Sequence, residues 1–349
     1  MINQQHPLFL RDDLLSLPCM DSLAEQSANR HLLLTGATGF FGRWLLALFD
    51  ELNRRGAGIA VTVVSRNPGR FLANQPYYRD CAWLRWVPTD IRHLRELPGR
   101  PIDLILHGAA DTSAAADARP LELFDTIVEG ARRVLDLALH SGGARVLLTG
   151  SGAQYGTFTA EERVSEEYTG ACKSNHVSST YGEAKRAQEI LGAIYAQEHA
   201  LEVVMTRCFA FSGPGLPLDA HFAIGNFVRD ALNADEIVLN SSGQALRSYL
   251  HGADLAVWLL TLLLRGESCV PYNVGSDEVV SIAELARRVI DRVAPGKRVR
   301  TLGRTDDSGR SLYVPDISRA RKLGLDVWTT LDKSIDRMAA WAKAPGYVN

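Results

Sequence analysis

The chain has 349 residues, a formal net charge of −2 and 22% charged residues with both signs interspersed. That length buries a large core, as one large domain or two smaller ones. The charge balance leaves no basic field of the kind that nucleic acid or an anionic membrane requires, so neither is expected as a partner. The cysteines at 19, 81, 172, 208 and 269 are scattered, odd in number and without a C-x-x-C pair, which argues against a disulfide scaffold or zinc cluster. No H-E-x-x-H occurs, and His107, His221 and His251 lack partners at ligand spacing, so no metal is expected. The opening MINQQHPLFLRDDLLSL has neither the basic start nor the apolar segment of a secretory signal, and a cytoplasmic setting is expected.

In chain order, residues 1–30 contain DDLLSL and DSLAEQS, two short helical stretches read as an N-terminal arm. Residues 31–42, HLLLTGATGFFG, run from an apolar strand into a glycine turn, and RWLLALFDELNRRG continues as an amphipathic helix. Glycines three apart, at Gly36, Gly39 and Gly42, let the backbone turn tightly and approach a diphosphate, with free N–H groups and the positive helix end facing the anion. Strand before and helix after are the context this motif needs, and the implied ligand is a dinucleotide.

Further strand-like runs follow at 59–65, 83–90, 102–110, 144–151 and 201–208, with helical patterns at 121–140 and 181–199. Near-continuous Val, Ile and Leu in strands that alternate with helices predict a doubly wound α/β architecture, a parallel sheet covered on both faces. After about 209 the rhythm changes at Gly213, Pro214, Gly215 and Pro217, with helices expected near 220–233, 253–265, 281–293 and 331–343. The run AVWLLTLLL at 256–264 is too short for a bilayer span and reads as a buried helix. Ser281 with Glu284 three residues later is a capping-box signal. The chain thus divides into the arm 1–30, a dinucleotide-binding domain 31–208, and 209–349, mainly a smaller substrate-binding lobe with segments returning to the sheet.

A second chemical signal is Tyr181-Gly-Glu-Ala-Lys185 at a helix start. Residues four apart share a helical face, where an ammonium favours the phenolate and brings a phenol toward working pH as general acid or base. Ser151, at the end of ARVLLTGS, offers a hydroxyl at the sheet edge that can bond a substrate oxygen.

Over roughly 30–345 the sequence resembles the extended short-chain dehydrogenase/reductase family, in particular its nucleotide-sugar epimerases, dehydratases and reductases. TGATGFFG is similar to the family's TGxTGFIG turn, which adds Phe40 and Phe41 to the cofactor set; VPTDI resembles its adenine-contacting Asp and apolar pair, Asp90 and Ile91; HGAA, with Ala109, resembles the H-x-A-A segment beneath the cofactor. Ser151, Tyr181 and Lys185 match the catalytic trio, Lys185 also holding the nicotinamide ribose. RSYLHGADLA resembles the segment whose Arg, here Arg247, binds the substrate diphosphate. Asn226 matches an Asn near the nucleotide, and DDSGRSLYVPDISRARKLG the C-terminal segment with a further phosphate-binding Arg, here Arg310 or alternatively Arg304. The resemblance implies a Rossmann-type fold, hydride transfer on a nucleoside-diphosphate sugar, and a homodimer joined through the helices 121–140 and 181–199.

Departures from the family pattern narrow the chemistry. Gly152 and Ala153 stand where 4,6-dehydratases carry Asp-Glu, so 4-keto reduction or epimerisation is favoured over dehydration. Thr126 and Ile127 replace an active-site Asn, and Ala210 replaces the Asn after R-x-F. The second strand ends in Ser65 and Arg66 without the carboxylate that bonds the NAD ribose, which favours NADP(H) over NAD(H). The alternatives are a dehydratase-like enzyme, a reductase of a small apolar ketone, against which Arg247 argues because a buried guanidinium needs an anion, and a nonenzymatic NADP(H) sensor, against which the retained Tyr181 and Lys185 argue.

Overall fold

The structure, a computed structural model, describes residues 8–97, 99–110, 118–156, 163–220, 222–303 and 311–344. Helices α1 (Leu8–Leu15) and α2 (Met20–Gln26) precede β1 (His31–Thr35). Then come α3 (Phe40–Arg54), β2 (Ala60–Ser65), α4 (Pro68–Asn74), β3 (Leu84–Pro88), β4 (Leu104–His107), α5 (Pro120–His140), β5 (Arg145–Ser151), α6 (Thr180–His199) and β6 (Val203–Cys208). The C-terminal part begins with β7 (Phe211–Ser212), α7 (Ala223–Asn233), β8 (Glu236–Leu239), β9 (Leu246–Arg247), β10 (Leu250–His251), α8 (Gly252–Arg265) and β11 (Pro271–Val274). It ends with β12 (Val280–Ser281), α9 (Ile282–Val293), β13 (Arg298–Thr301), β14 (Leu312–Tyr313), α10 (Ser318–Arg321) and α11 (Leu331–Lys343).

Seven strands form one parallel sheet in the order β11-β6-β5-β4-β1-β2-β3. Why the strands read as continuous apolar runs is visible along their length. Leu32, Leu34, Leu104, Leu106 and Val204 join the core on one face, while Leu33, Ile105, Val203 and Met205 join a second cluster on the other. Successive side chains point to opposite faces, so a strand covered on both sides must be apolar at every position. Each such Leu or Val contributes about 1.5–3 kcal/mol relative to exposure. Strand order reverses between β1 and β4, and the crevice outside the carboxyl ends of these strands is where open α/β sheets bind ligands.

The run 256–264 is the middle of α8, buried from Gly252 through Leu263. Asp254 is fully enclosed there and accepts hydrogen bonds from Trp328 N, Thr329 N and Thr329 Oγ1 at 2.8–2.9 Å. No helix among the described residues is long and apolar enough to cross a membrane. Leu14, Leu17, Met20 and Leu23 of the N-terminal segment enter the same core cluster as α3 and α8, and Asp13 pairs with Arg337 of α11 at 2.8 Å.

A separate cluster fills the C-terminal part, with Ile224, Phe227, Leu285, Val289, Ile335 and Met338 drawn from α7, α9 and α11. Beside it β9 sits between β12 and β14, so that Arg247 is opposite Tyr313 in register. The expected capping box at Ser281 is only half made. Ser281 Oγ accepts from Glu284 N at 3.1 Å, but the Glu284 carboxylate turns to Arg288 at 2.9 Å, because a charge-assisted bond outcompetes a neutral backbone N–H.

Candidate functional site

The glycine turn follows β1 at the sheet's carboxyl edge. Gly36 has φ +77°, and a Cβ there would lie 2.4 Å from Gly108 O, so only glycine allows the β1 and β4 turns to touch. Gly42, in the first turn of α3, packs as closely on Ala37. Gly39 is the N-cap of α3, Phe41 meets Phe211 edge to face at 4.8 Å, and Phe40 packs against the C-terminal cluster. Ala109 joins this turn through Thr35, whose Oγ1 accepts from Gly108 N and Ala109 N, both at 3.1 Å, and meets His107 Nδ1 at 2.8 Å. Burial, helped by the nearby Lys185 ammonium, lowers the His107 pKa to about 3, which fixes a neutral imidazole.

At the end of β2, Ser65 is half-buried and Arg66 exposed, 4.0 Å from Glu122. Asp90 accepts from Arg92 N at 2.9 Å and from the Arg92 guanidinium at 3.0 and 2.9 Å. These bonds hold its pKa down to about 2, with Arg66 adding to the positive field. Ile91 is buried, with its side chain directed at Gly130 of α5. Arg92 and Thr35 are partners that motif reading missed; a basic residue two positions after an Asp was the available signal for Arg92.

Ser151 ends β5, one strand from β4, and is 7% exposed. Its N–H donates to Gln154 Oε1 at 2.7 Å and its Oγ accepts from Ala153 N at 3.2 Å. Gln154 Nε2 in turn donates to Glu189 of α6 at 2.8 Å, and Glu189 is held by Arg207 of β6 at 2.6 Å. The backbone of Ser151 is thereby fixed from three elements.

Lys185 is 2% exposed, and its Nζ donates to Thr149 O at 2.6 Å and to Gln188 Oε1 at 3.3 Å. Burial lowers its pKa to about 8. Tyr181, one turn earlier on α6, is half-buried against Leu123, Ile127 and Ala184, so the flank that carries Ile127 is apolar. Tyr313, which motif reading did not single out, is tilted on Phe209 with ring centroids 4.8 Å apart, and its hydroxyl lies 2.6 Å from where a Cβ on Gly152 would stand; burial and the neighbouring Tyr181 push the phenol's pKa well up.

Arg247 is half-buried, and its Nη1 donates to Leu246 O at 2.7 Å, Ser311 O at 3.1 Å and Ser311 Oγ at 3.3 Å. All three acceptors are neutral, and among the described residues no carboxylate lies within ion-pair distance of it. Its guanidinium stands 5.9 Å from the centre of the Tyr313 ring, whose hydroxyl reaches Gly152. Asn226 lies on α7, where its Oδ1 accepts from Arg229 Nη1 at 3.3 Å, and it makes no hydrogen bond to this group among the described residues. Arg310 and the alternative Arg304 lie outside the described residues. No group of three or more His, Cys, Asp or Glu side chains suited to a metal occurs among the described residues.

The model of the NAD dependent epimerase/dehydratase family matches residues 32–275. The chain is 28% identical over 304 residues to UDP-glucuronic acid decarboxylase 6 of Arabidopsis thaliana, covering 85% of this chain and 83% of the relative. It is 31% identical to UDP-glucuronic acid decarboxylase 4 of the same plant, covering 84% of this chain and 63% of that one. Among solved structures, the dTDP-glucose 4,6-dehydratase of Streptomyces venezuelae with NAD bound shares the fold at a TM-score of 0.76 and 23% identity, with 90% of this chain and 97% of that chain covered. The UDP-glucose 4-epimerase of Thermotoga maritima with UDP-glucose shares it at 0.74 and 19%, over 89% and 98%. The glycine turn, the parallel sheet and the match over most of the chain agree: this protein is an enzyme of the NAD dependent epimerase/dehydratase family.

Proposed function

We propose that the chain moves a hydride between a nicotinamide dinucleotide and a ring carbon of a nucleoside-diphosphate sugar, as a 4-keto reductase or an epimerase. Tyr181 exchanges the hydroxyl proton, Lys185 tunes it and holds the nicotinamide ribose, and Ser151 donates to the sugar oxygen. Arg247 and Asn226, with Arg310, take the diphosphate and nucleotide. The observation that carries this reading is the convergence of Ser151, Lys185 and the glycine turn on one sheet edge, with Gly152 and Ala153 leaving no carboxylate beside Ser151. The half-buried Arg247 guanidinium, bonded among the described residues to neutral oxygens, supports an anionic ligand there.

The names of the Arabidopsis relatives favour a second reading, decarboxylation of a uronic acid. Oxidation at C4 makes the C6 carboxylate a β-keto acid; the C5–C6 bond then breaks, CO2 leaves, and the electron pair enters the C4 ketone as an enolate. That step needs no acid at 152 or 153. The test is a screen of UDP-glucose, UDP-N-acetylglucosamine, UDP-glucuronic acid, dTDP-glucose and a nucleoside-diphosphate 4-keto sugar with each coenzyme. Net oxidation of added NAD(P)H identifies a reductase, interconversion without it an epimerase, and CO2 release a decarboxylase. No turnover of any of the five overturns the nucleotide-sugar reading.

The preference for NADP(H) rests on Ser65 and the exposed Arg66, which end β2 where a carboxylate would bond the NAD ribose. A charge-assisted bond to phosphate is worth about 1.5–3 kcal/mol, so Arg66→Ala is expected to weaken NADPH binding about tenfold or more and leave NADH binding nearly unchanged. Isothermal titration reads this directly, and tighter NADH than NADPH binding by the unaltered chain overturns the preference.

A homodimer through α5 and α6 is proposed from their outward faces, where Leu121 is 81% exposed and Ile190 58% exposed, with Val177 and Ile194 also in solvent. Large apolar side chains grouped on neighbouring helices mark an interaction surface. Ile190→Glu is expected to convert a dimer to a monomer in light-scattering chromatography; a monomeric wild type at micromolar concentration overturns the proposal.

A further inference from the structure

We propose that Gln154 is a positioning residue for the reaction: seated in the room left by Gly150, its side chain sets Ser151 against the helix that carries Tyr181 and Lys185. This rests on the function proposed above and deepens it.

The seat is specific to glycine. A Cβ on residue 150 would collide with Gln154 Oε1 and with Thr206 O of β6, so any other residue there would expel the amide. Gln154 lies in the turn Gly152–Tyr155 that follows β5 and is 2% exposed. An amide buried to that degree needs a partner at each end. Its Oε1 accepts from Ser151 N at 2.7 Å and its Nε2 donates to Glu189 Oε2 at 2.8 Å. The orientation of the amide follows from those partners, since a backbone N–H needs an oxygen and a carboxylate needs a donor.

The far end of this chain is anchored. Arg207 of β6 donates to Glu189 Oε1 at 2.6 Å and to Glu189 Oε2 at 3.1 Å, a two-pronged pair that fixes the plane of the carboxylate. The same guanidinium lies 4.7 Å from the centre of the Tyr155 ring. Glu189 is four residues after Lys185, so the two share a face of α6. Lys185 Nζ and Gln188 Nε2 both donate to Thr149 O, at 2.6 and 3.0 Å. The end of β5 is therefore tied to α6 at two points, at Thr149 through Lys185 and Gln188 and at Ser151 through Gln154 and Glu189. Two ties on one strand hold the helix against rotation as well as separation.

The turn also closes on the hydroxyl. Ser151 Oγ accepts from Ala153 N at 3.2 Å while Gln154 Oε1 returns to Ser151 N, so one short turn sets both the side chain and the backbone of Ser151. Glu189 in turn sets that turn from α6. Removal of the amide leaves Ser151 N without the acceptor 2.7 Å away and cuts the tie to the helix. A shift of about 1 Å at a reacting group costs on the order of 100-fold in rate.

Gln154→Met keeps the length of the side chain and removes the amide. With the five sugars screened above as probes and coenzyme saturating, it is expected to lower kcat by about 10- to 100-fold, with KM for the sugar changed less than about threefold. Because Gln154 acts through Ser151, adding Gln154→Met to Ser151→Ala is expected to slow the enzyme no further. Gln154→Glu alone faces Glu189 with a second carboxylate and is expected to be as slow as Gln154→Met. The exchange Gln154→Glu, Glu189→Gln restores an acceptor for Ser151 N and a donor between the two side chains, and is expected to return kcat to within about fivefold of wild type. Unchanged kcat in Gln154→Met overturns the proposal, as does an equal loss in the Ser151→Ala background, which marks a merely structural role. If Gln154→Met does not fold, the exchange decides: kcat no higher than in Gln154→Glu alone overturns the proposal. Full turnover in Ser151→Ala removes instead the role given to Ser151 above. If no probe turns over in the wild type, the reaction reading falls by itself, and crystal structures of wild type and Gln154→Met with coenzyme decide the positioning role. A Ser151 Oγ displaced by about 1 Å in the variant supports it, and an unmoved Oγ overturns it.

Discussion

Tyr181→Phe is expected to reduce turnover by about 10³-fold, in the middle of the range for loss of one general acid–base group, while coenzyme binding stays within about twofold of wild type. The substitution removes one oxygen from a ring that packs on Leu123, Ile127 and Ala184, all apolar and all buried, so the packing that holds the start of α6 survives. What is lost is the group that gives or takes the hydroxyl proton as hydride leaves or joins the same carbon. No polar side chain at Ile127 can substitute, because that position is fully enclosed hydrocarbon. Steady-state rates with the active nucleotide sugar and titration with NADPH separate the two effects. Activity retained within tenfold assigns the proton to another group.

The fold could be read from the sequence because its determinants are local and periodic. The unbroken apolar runs LLL in HLLLT, LIL in LILH and VVM in VVMT leave a strand no solvent face, and a parallel sheet between helices is the architecture that satisfies them. The glycine turn was legible for the same reason: Gly36 and Gly42 are demanded by contacts within the motif and its neighbouring strand. Ser151 and Lys185 were found because each ends or begins a recognisable element. Tyr313 was not, since its significance comes from a gap 161 positions earlier in the chain, at Gly152, and no spacing rule links a missing side chain to the ring that fills its place. The Gln154–Glu189–Arg207 chain is equally non-local, joining the turn after β5 to α6 and β6 through side chains that in sequence resemble any solvated polar residue. Arg92 shows a third limit: Asp90 was legible as a motif residue, but the ion pair that lowers its pKa to about 2 depends on the tight turn at Ile91–His93.

Lys185→Met is expected to cost about 10²-fold or more in turnover and yet to stabilise the coenzyme-free chain at neutral pH. The native lysine is fully buried, and its pKa falls from 10.5 to about 8, so below pH 8 it is charged in both folded and unfolded states and folding must desolvate it. A shift of that size corresponds to roughly 3 kcal/mol against the folded state, at about 1.4 kcal/mol per pKa unit. As pH rises from about 8 to 10.5 the unfolded chain binds more protons than the folded one, and wild-type stability climbs. Methionine is of similar length and uncharged, so the variant lacks both the penalty and the climb. The hydrogen bonds lost are partly covered, since Thr149 O also accepts from Gln188 Nε2 at 3.0 Å, which leaves a net gain of about 1–3 kcal/mol near pH 7. Urea midpoints at pH 7 and pH 9.5 test this: the variant should be ahead at pH 7 and the margin should narrow at pH 9.5. A lower midpoint for the variant at pH 7 would mean that the ammonium stabilises the fold. In the enzyme the same titration has the opposite sign. Only the ammonium form favours the Tyr181 phenolate, so wild-type kcat/KM is expected to decline above about pH 8 as Lys185 loses its proton. The residue thus destabilises the empty protein in the protonation state that the reaction requires, a conflict that arises when a charged group is placed at the bottom of a crevice to serve a ligand.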